Sequence, residues 1–298
     1  MRLIKLIKRT FSSLVKWWDT KHCDYFECSI GDIVLLRKTP SNNQLLLTSR
    51  LLDVEDYLSC RNTSFPHQNT ISYKAYGSVH KEEVGNAHFR SLIESYLKDG
   101  YHKESFITCD ADLNLMDGNH RMGIHLYEQI SEVNVRMVHR KVKAVRGFDW
   151  YYKVGIPTPF IEKIFNKYFE IQNWLIDSGN TFIALMESSN NDEINPYKDL
   201  SRLTTPLRFY STSFKLDGPE WNGMNDITWG GVMLFSLDNP EYYSNNGQLF
   251  SKRIDILRQL FQFRYGDRIH IVLTNNCLEG KRLYDRISLF LNNQNMLQ

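Results

Sequence analysis

The stretch that decides the fold is residues 105–138, SFITCDADLNLMDGNHRMGIHLYEQISEVNVRMV. Residues 105–109 read as a strand, with β-branched, aromatic or apolar side chains over 106–109. Asp110-Ala111-Asp112 reads as a turn, and residues 113–116 as a second strand. After Asp117-Gly118 the period changes. Met122, Leu126 and Ile130 share one face of a helix running from about His120 to Ile130. Residues 133–138 then return as a strand. A hairpin, a tight turn, a helix and a further strand within one short segment predict an α+β unit.

The turn inside this unit carries the chemistry. Gly118 can take the backbone angles that a sharp strand-to-helix turn requires. A helix start offers free N–H groups and the positive end of the helix dipole, which together attract anions. Arg121, in the first turn, can fork onto phosphate oxygens, and His120 is a second donor or a proton carrier. Asp117, at the strand end, can hold magnesium or orient a nucleophile. The competing reading is an ordinary turn, since Asp-Gly is common in turns and arginines often pair on surfaces.

Upstream, residues 83–97 read as a helix with Val84, Ala87, Leu92, Ile93 and Tyr96 on its apolar face, stopped by Asp99-Gly100. Residues 32–49 hold two short apolar runs around TPSNN and read as a β-hairpin, with a short helix over 51–58 and a loop over 61–70. Residues 1–18, MRLIKLIKRTFSSLVKWW, carry five positive charges and no acid, with Leu3, Ile7, Phe11, Leu14 and Trp18 at helical spacing. This reads as a basic amphipathic helix lying on an anionic membrane surface, or as an ordinary helix packed on the body. Lys5, Lys8 and Arg9 interrupt any signal-peptide core.

Beyond about residue 145 the texture turns aromatic. Helices are expected over 161–175, 254–263 and 283–291, and strands over 182–186, 232–237 and 269–273. Alternating helices and buried strands predict an α/β region, with α+β as the other option. Within it, WNGMNDITWGG (residues 221–231) could stack a sugar on Trp221 and Trp229 and bind its hydroxyls with Asn222 and Asp226. The other reading is a turn-rich loop whose tryptophans fill the core.

Composition bounds the function. The 298 residues have a net charge of +2, which argues against a dedicated nucleic-acid binder. Five cysteines, odd in number and without a CxxC pair, argue against a disulfide framework and for a reducing compartment. His22, Cys23 and Cys28 lack the two further ligands of a zinc site at finger-like spacing.

Residues 80–138 resemble the ParB/sulfiredoxin superfamily. The resemblance rests on HKEEV (residues 80–84), HFRSLIESYLKDGY (88–101), SFITC (105–109), the segment 113–130 and VNVRMV (133–138), about a fifth of the chain. Sulfiredoxins carry a reactive cysteine where this chain has Asn119, so sulfinate chemistry is disfavoured. ParB proteins carry Gly-Glu-Arg-Arg at the turn and a helix-turn-helix downstream, and neither is found in this sequence. Free-serine kinases carry Asp-Gly-His-His-Arg and an upstream His-Glu-Glu-Val. Asp117-Gly118-Asn119-His120-Arg121 and His80-Lys81-Glu82-Glu83-Val84 look closest to that branch, with Asn119 in place of a histidine and Lys81 inserted.

The resemblance implies an α+β fold with a ParB/sulfiredoxin-like mixed sheet over residues 20–145; the residue patterns add the helix at 1–19 before it and the α/β region at 146–298 after it. It implies a kinase that moves a phosphoryl group from ATP or ADP, with Mg2+, to a hydroxyl of a small molecule, sugar or glycolipid. Gly118, Asn119, His120 and Arg121 would bind the phosphates, Asp117 would help place magnesium, and Glu83 or Glu82 would be the general base. A cytoplasmic protein, peripheral on the inner face of the membrane, is expected. The alternatives are a ParB-like nucleotide- or DNA-binding protein without kinase activity, with CTP preferred, and a catalytically silent scaffold.

Overall fold

The computed structural model describes residues 18–19, 21–34, 42–60, 83–100, 105–141, 148–153, 155–188, 195–216 and 226–291; of residues 42–46, 60, 83–88 and 148–150 only the backbone is described. In chain order the elements are β1 (Cys23–Ser29), α1 (Ile30–Val34), α2 (Asn42–Cys60), α3 (Glu83–Asp99), β2 (Ile107–Cys109), β3 (Leu115–Asp117), α4 (Asn119–Tyr127) and β4 (Glu132–Val138). There follow α5 (Phe148–Lys153), α6 (Thr158–Asp177), β5 (Phe182–Glu187), α7 (Pro196–Leu203), β6 (Thr205–Phe214), β7 (Trp229–Ser236), β8 (Tyr242–Asn245), β9 (Gln248–Ser251), α8 (Lys252–Tyr265), β10 (Ile271–Leu273) and α9 (Cys277–Leu291). The chain is α+β.

The first sheet has the order β1-β4-β2-β3. β1 is antiparallel to β4, β4 is parallel to β2, and β2 is antiparallel to β3. Alternation along β4 sends Val133, Val135 and Met137 inward, while Asn134 and Arg136 stay partly exposed. The inward residues meet Leu47 and Leu51 of α2 and Met122 and Leu126 of α4 in one buried cluster. The close crossing of α2 over α4 depends on Gly123. A Cβ there would stand 3.0 Å from the Arg50 carbonyl carbon, closer than ordinary packing allows.

The hairpin expected over residues 32–49 is overturned. Its first half holds α1 and its second half lies inside α2. The reason is visible in the packing of α2, which is buried on several sides. Leu47 and Leu51 face the sheet cluster, Leu52 meets Ile161, Ile164 and Tyr168 of α6, and Val54 meets Phe89, Ile93 and Ile124. A helix apolar on most sides shows no 3.6-residue stripe, so its short apolar runs imitate strands.

The second sheet has the order β10-β5-β7-β6, and every pairing in it is antiparallel. The region expected as α/β is therefore α+β. Its inner strands β5 and β7 read as apolar runs because both faces are covered. Phe182, Ala184, Met233 and Phe235 join the large cluster shared with the first sheet. Ile183, Leu185, Val232 and Leu234 pack against Leu283, Ile287 and Leu291 of α9. The fully buried Asp32 ties the two regions: its carboxylate accepts from Ser29 N (3.2 Å), Tyr242 Oη (2.8 Å) and Cys277 N (2.9 Å). Burial pushes its carboxyl up from the usual range, with the hydrogen bonds pulling the other way. The boundary expected near residue 145 and residues 1–17 of the helix expected over 1–19 lie outside the described residues; Trp18 and Asp19 at its end are helical. Among the described residues no helix is long and apolar enough to cross a membrane.

Candidate functional site

The turn between β3 and α4 is built as the sequence requires. Asp110, fully buried, organises the hairpin that delivers it by accepting from Asp112 N (2.9 Å), Asn114 N (2.8 Å) and Asn114 Nδ2 (3.1 Å). Gly118 then caps α4 at φ 98° and ψ 14°, a left-handed conformation costly for any residue with a Cβ. It also has no room for one: a Cβ would stand 2.8 Å from Ile107 Cδ1 and 3.3 Å from Arg121 Nη2. Without a side chain at the cap, the first N–H groups of α4 point past the helix end.

The turn's side chains divide between holding it and facing outward. Asp117 Oδ1 accepts from Gly118 N at 2.8 Å, and its carboxylate is 78% exposed. Arg121 is more engaged than the sequence suggested. Its Nη1 donates to Ser105 Oγ (2.6 Å) and to Phe106 O (2.8 Å), clamping the approach to β2. Its Nη2 faces Asp117 Oδ2 at 3.9 Å and lies beside Gly118. One arm of the fork is thus structural and the other borders the turn. Asn119 Oδ1 is buried with no hydrogen-bond partner among the described residues.

His120 is fixed by α3, its ring stacking on Phe89 at 4.5 Å. A second pair joins the same helices further along, Tyr96 Oη and His125 Nε2 at 2.7 Å. Phe89 precedes Tyr96 and His120 precedes His125, so α3 and α4 run in the same direction. Their N-termini therefore lie toward the same end. Glu83 begins α3, six residues before Phe89 and ~9 Å along the axis from it. The Glu83 side chain and the whole of Glu82 lie outside the described residues. His125 is fully buried. Burial, helped by the nearby Arg121 charge, lowers its pKa to about 4, so the imidazole is neutral at pH 7.

One residue escaped the sequence reading. Register places Tyr25, Arg136, Thr108 and Asp117 in a single row across β1, β4, β2 and β3. Side chains directly opposite each other share a face, so Arg136 stands on the same side of the sheet as Asp117. Its Nη2 donates to Thr108 Oγ1 at 3.1 Å, and its Nε is buried with no partner among the described residues. The period-2 pattern of VNVRMV, apolar at 133, 135 and 137, was the available signal.

The sugar-stacking reading does not hold for Trp229. It is fully buried in β7, in the cluster with Phe214, Leu216 and Ile227, so its ring has no face left for a ligand. Asp226 is exposed, and Trp221 and Asn222 lie outside the described residues. Among the described residues no group of three or more His, Cys, Asp or Glu side chains is placed to hold a metal. A magnesium ion that arrives with nucleotide phosphates needs only one or two carboxylates, and the exposed Asp117 fits that lesser demand.

No family model matches the chain, and neither do the curated proteins or the solved structures with which it was compared.

Proposed function

We propose that the protein is a nucleotide-dependent phosphotransferase acting on a hydroxyl of a small molecule, sugar or glycolipid, with a ParB/sulfiredoxin-like arrangement in its first sheet. The observation that carries the reading is the left-handed Gly118 cap, with Asp117 and Arg121 on either side of it, at the end toward which α3 also starts. Nucleotide phosphates bind over the N–H groups of Asn119, His120 and Arg121, where two helix dipoles act in the same sense. Arg121 Nη2, and Arg136 across the open face, add positive charge. Magnesium carried by the ATP or ADP neutralises charge on the phosphoryl oxygens, and Asp117 helps to place it.

The acceptor hydroxyl gives its proton to a carboxylate at the start of α3, Glu83 or its neighbour Glu82. Its oxygen bonds to the terminal phosphorus as the bond from that phosphorus to the bridging oxygen breaks, leaving a nucleotide one phosphate shorter. The chain's contribution is positioning and charge. The basic sequence of residues 1–18 supports an acceptor met at an anionic membrane surface, in the cytoplasm.

Calorimetric titration with ATP, ADP and CTP in the presence of magnesium tests the reading. Adenine-nucleotide binding, followed by nucleotide consumption with serine, simple sugars or glycolipids as acceptors, is the expected result. Preference for CTP without consumption favours a ParB-like nucleotide binder, and no binding at all refutes the site.

A further inference from the structure

The first sheet has two faces. α2 and α4 pack on one of them, over Val133, Val135 and Met137. The other carries the row Tyr25, Arg136, Thr108 and Asp117. Phe106, two residues before Thr108, stands on the same side. β1 and β2 are not neighbours, because β4 lies between them. The rings of Tyr25 and Phe106 nevertheless meet edge to face, 4.9 Å apart at 71°. They therefore meet above β4, where Arg136 stands. Tyr25 is 46% exposed and Phe106 37%.

Arg136 is the unusual member of this face. Its Nη2 donates to Thr108 Oγ1 at 3.1 Å, but its Nε is buried without a partner, and the guanidinium forms no ion pair among the described residues. A half-buried cation in this state gains when an anion is brought to it. Phe106 is held in place by the arginine of the candidate phosphate site. Arg121 Nη1 donates to Phe106 O (2.8 Å) and Ser105 Oγ (2.6 Å), while its Nη2 lies beside Gly118. A single guanidinium thus links the turn to the ring pair, and the sheet register sets a second guanidinium beside that pair. Cross-strand packing accounts for two rings in contact. It leaves the uncompensated charge of Arg136 unexplained.

We propose that Tyr25 and Phe106 form the stacking platform for the base of the nucleotide whose phosphates lie at the Gly118 turn, with Arg136 between base and phosphates. The proposal rests on the phosphate reading of that turn and extends it to the rest of the ligand. Aromatic rings suit the π-face of a base, and Arg136 supplies charge-assisted donors to the ribose and the first phosphate. A strand of nucleic acid would need cations spread along the face. Glu27, two residues from Tyr25 on the same side of β1, is an acid, and it is engaged by Arg282 at 3.0 Å. A single nucleotide has its charge gathered at one end, as Arg121 and Arg136 require.

The test compares ATP with tripolyphosphate, each with magnesium, by calorimetric titration of the full chain. Tripolyphosphate keeps the three phosphates and lacks base and ribose. ATP should bind about 10-fold or more tightly, the scale of a lost base–aromatic stack. Tyr25→Ala and Phe106→Leu should each lower ATP affinity toward that of tripolyphosphate and leave tripolyphosphate binding unchanged. Circular dichroism establishes that each variant is folded, and Tyr25, the more exposed ring, carries the test if Phe106→Leu does not fold. Equal affinity for the two ligands, or variants that keep the wild-type ratio, overturns the platform and leaves the phosphate site standing. Variants that weaken both ligands alike mark a structural role for the rings and also overturn it. A chain that binds neither ligand overturns the phosphate reading and the platform together.

Discussion

Gly118→Ala tests the turn on which the functional reading rests. Two costs can be read from the structure and separated. An alanine held at φ 98° pays for a left-handed backbone, about 1–2 kcal/mol. Its Cβ would also stand 2.8 Å from Ile107 Cδ1, an overpacking worth about 1 kcal/mol because the contact is one methyl at the end of a side chain. The variant should therefore lose about 2–3 kcal/mol in urea unfolding followed by tryptophan fluorescence. Ile107→Val removes only the offending methyl. Alone it should cost ~1 kcal/mol as a small core truncation. Combined with Gly118→Ala it should recover the steric part and leave the backbone part, a coupling of about 1 kcal/mol. Adenine-nucleotide affinity should fall in both alanine variants, because the new Cβ lies against Arg121 Nη2. A Gly118→Ala protein within ~0.5 kcal/mol of wild type, a difference typical of an inert surface change, would refute the left-handed turn. A double variant that is simply additive would refute the Ile107 contact.

Two further outcomes follow from the same pair of helices. His125 has a pKa of about 4 in the fold against ~6.5 unfolded, so between those values the unfolded chain binds more protons. Stability should be full above pH 6.5 and fall by up to ~3 kcal/mol as pH drops toward 4. His125→Gln should flatten that slope in urea midpoints measured from pH 4 to 7, and an unchanged slope would remove His125 as its source. Glu83→Gln should lower turnover by about 100-fold or more with little change in nucleotide affinity, whereas Glu82→Gln should be milder. Two variants as fast as wild type would place the base elsewhere.

What the sequence made legible is what its local pattern encodes. The segment 105–138 has turns marked by Asp and Gly and a helix with one apolar stripe, and its strands and helix appear within a few residues of the expected places. Three strands of the second sheet, β5, β7 and β10, were legible for the same reason, but β6 was not expected and the direction of the strands was not legible. An unbroken run such as FIALM looks the same in a parallel strand and in an antiparallel strand covered on both faces. α2 was misread because it is packed on several sides, and Trp229 because a core tryptophan and a stacking tryptophan look alike until burial is known.

The candidate site divides along the same line. Gly118, Asn119, His120 and Arg121 are neighbours in the chain, so a local reading could find them together. Arg136 reaches Asp117 only through two registers, Arg136 to Thr108 and Thr108 to Asp117, and no local pattern carries that. The consequence is electrostatic. An exposed carboxylate bordered by Arg121 at 3.9 Å, and in line with a second guanidinium, sits in a positive setting. Arg136 therefore adds to that face a charge, two strands from Asp117, that the short motif does not contain.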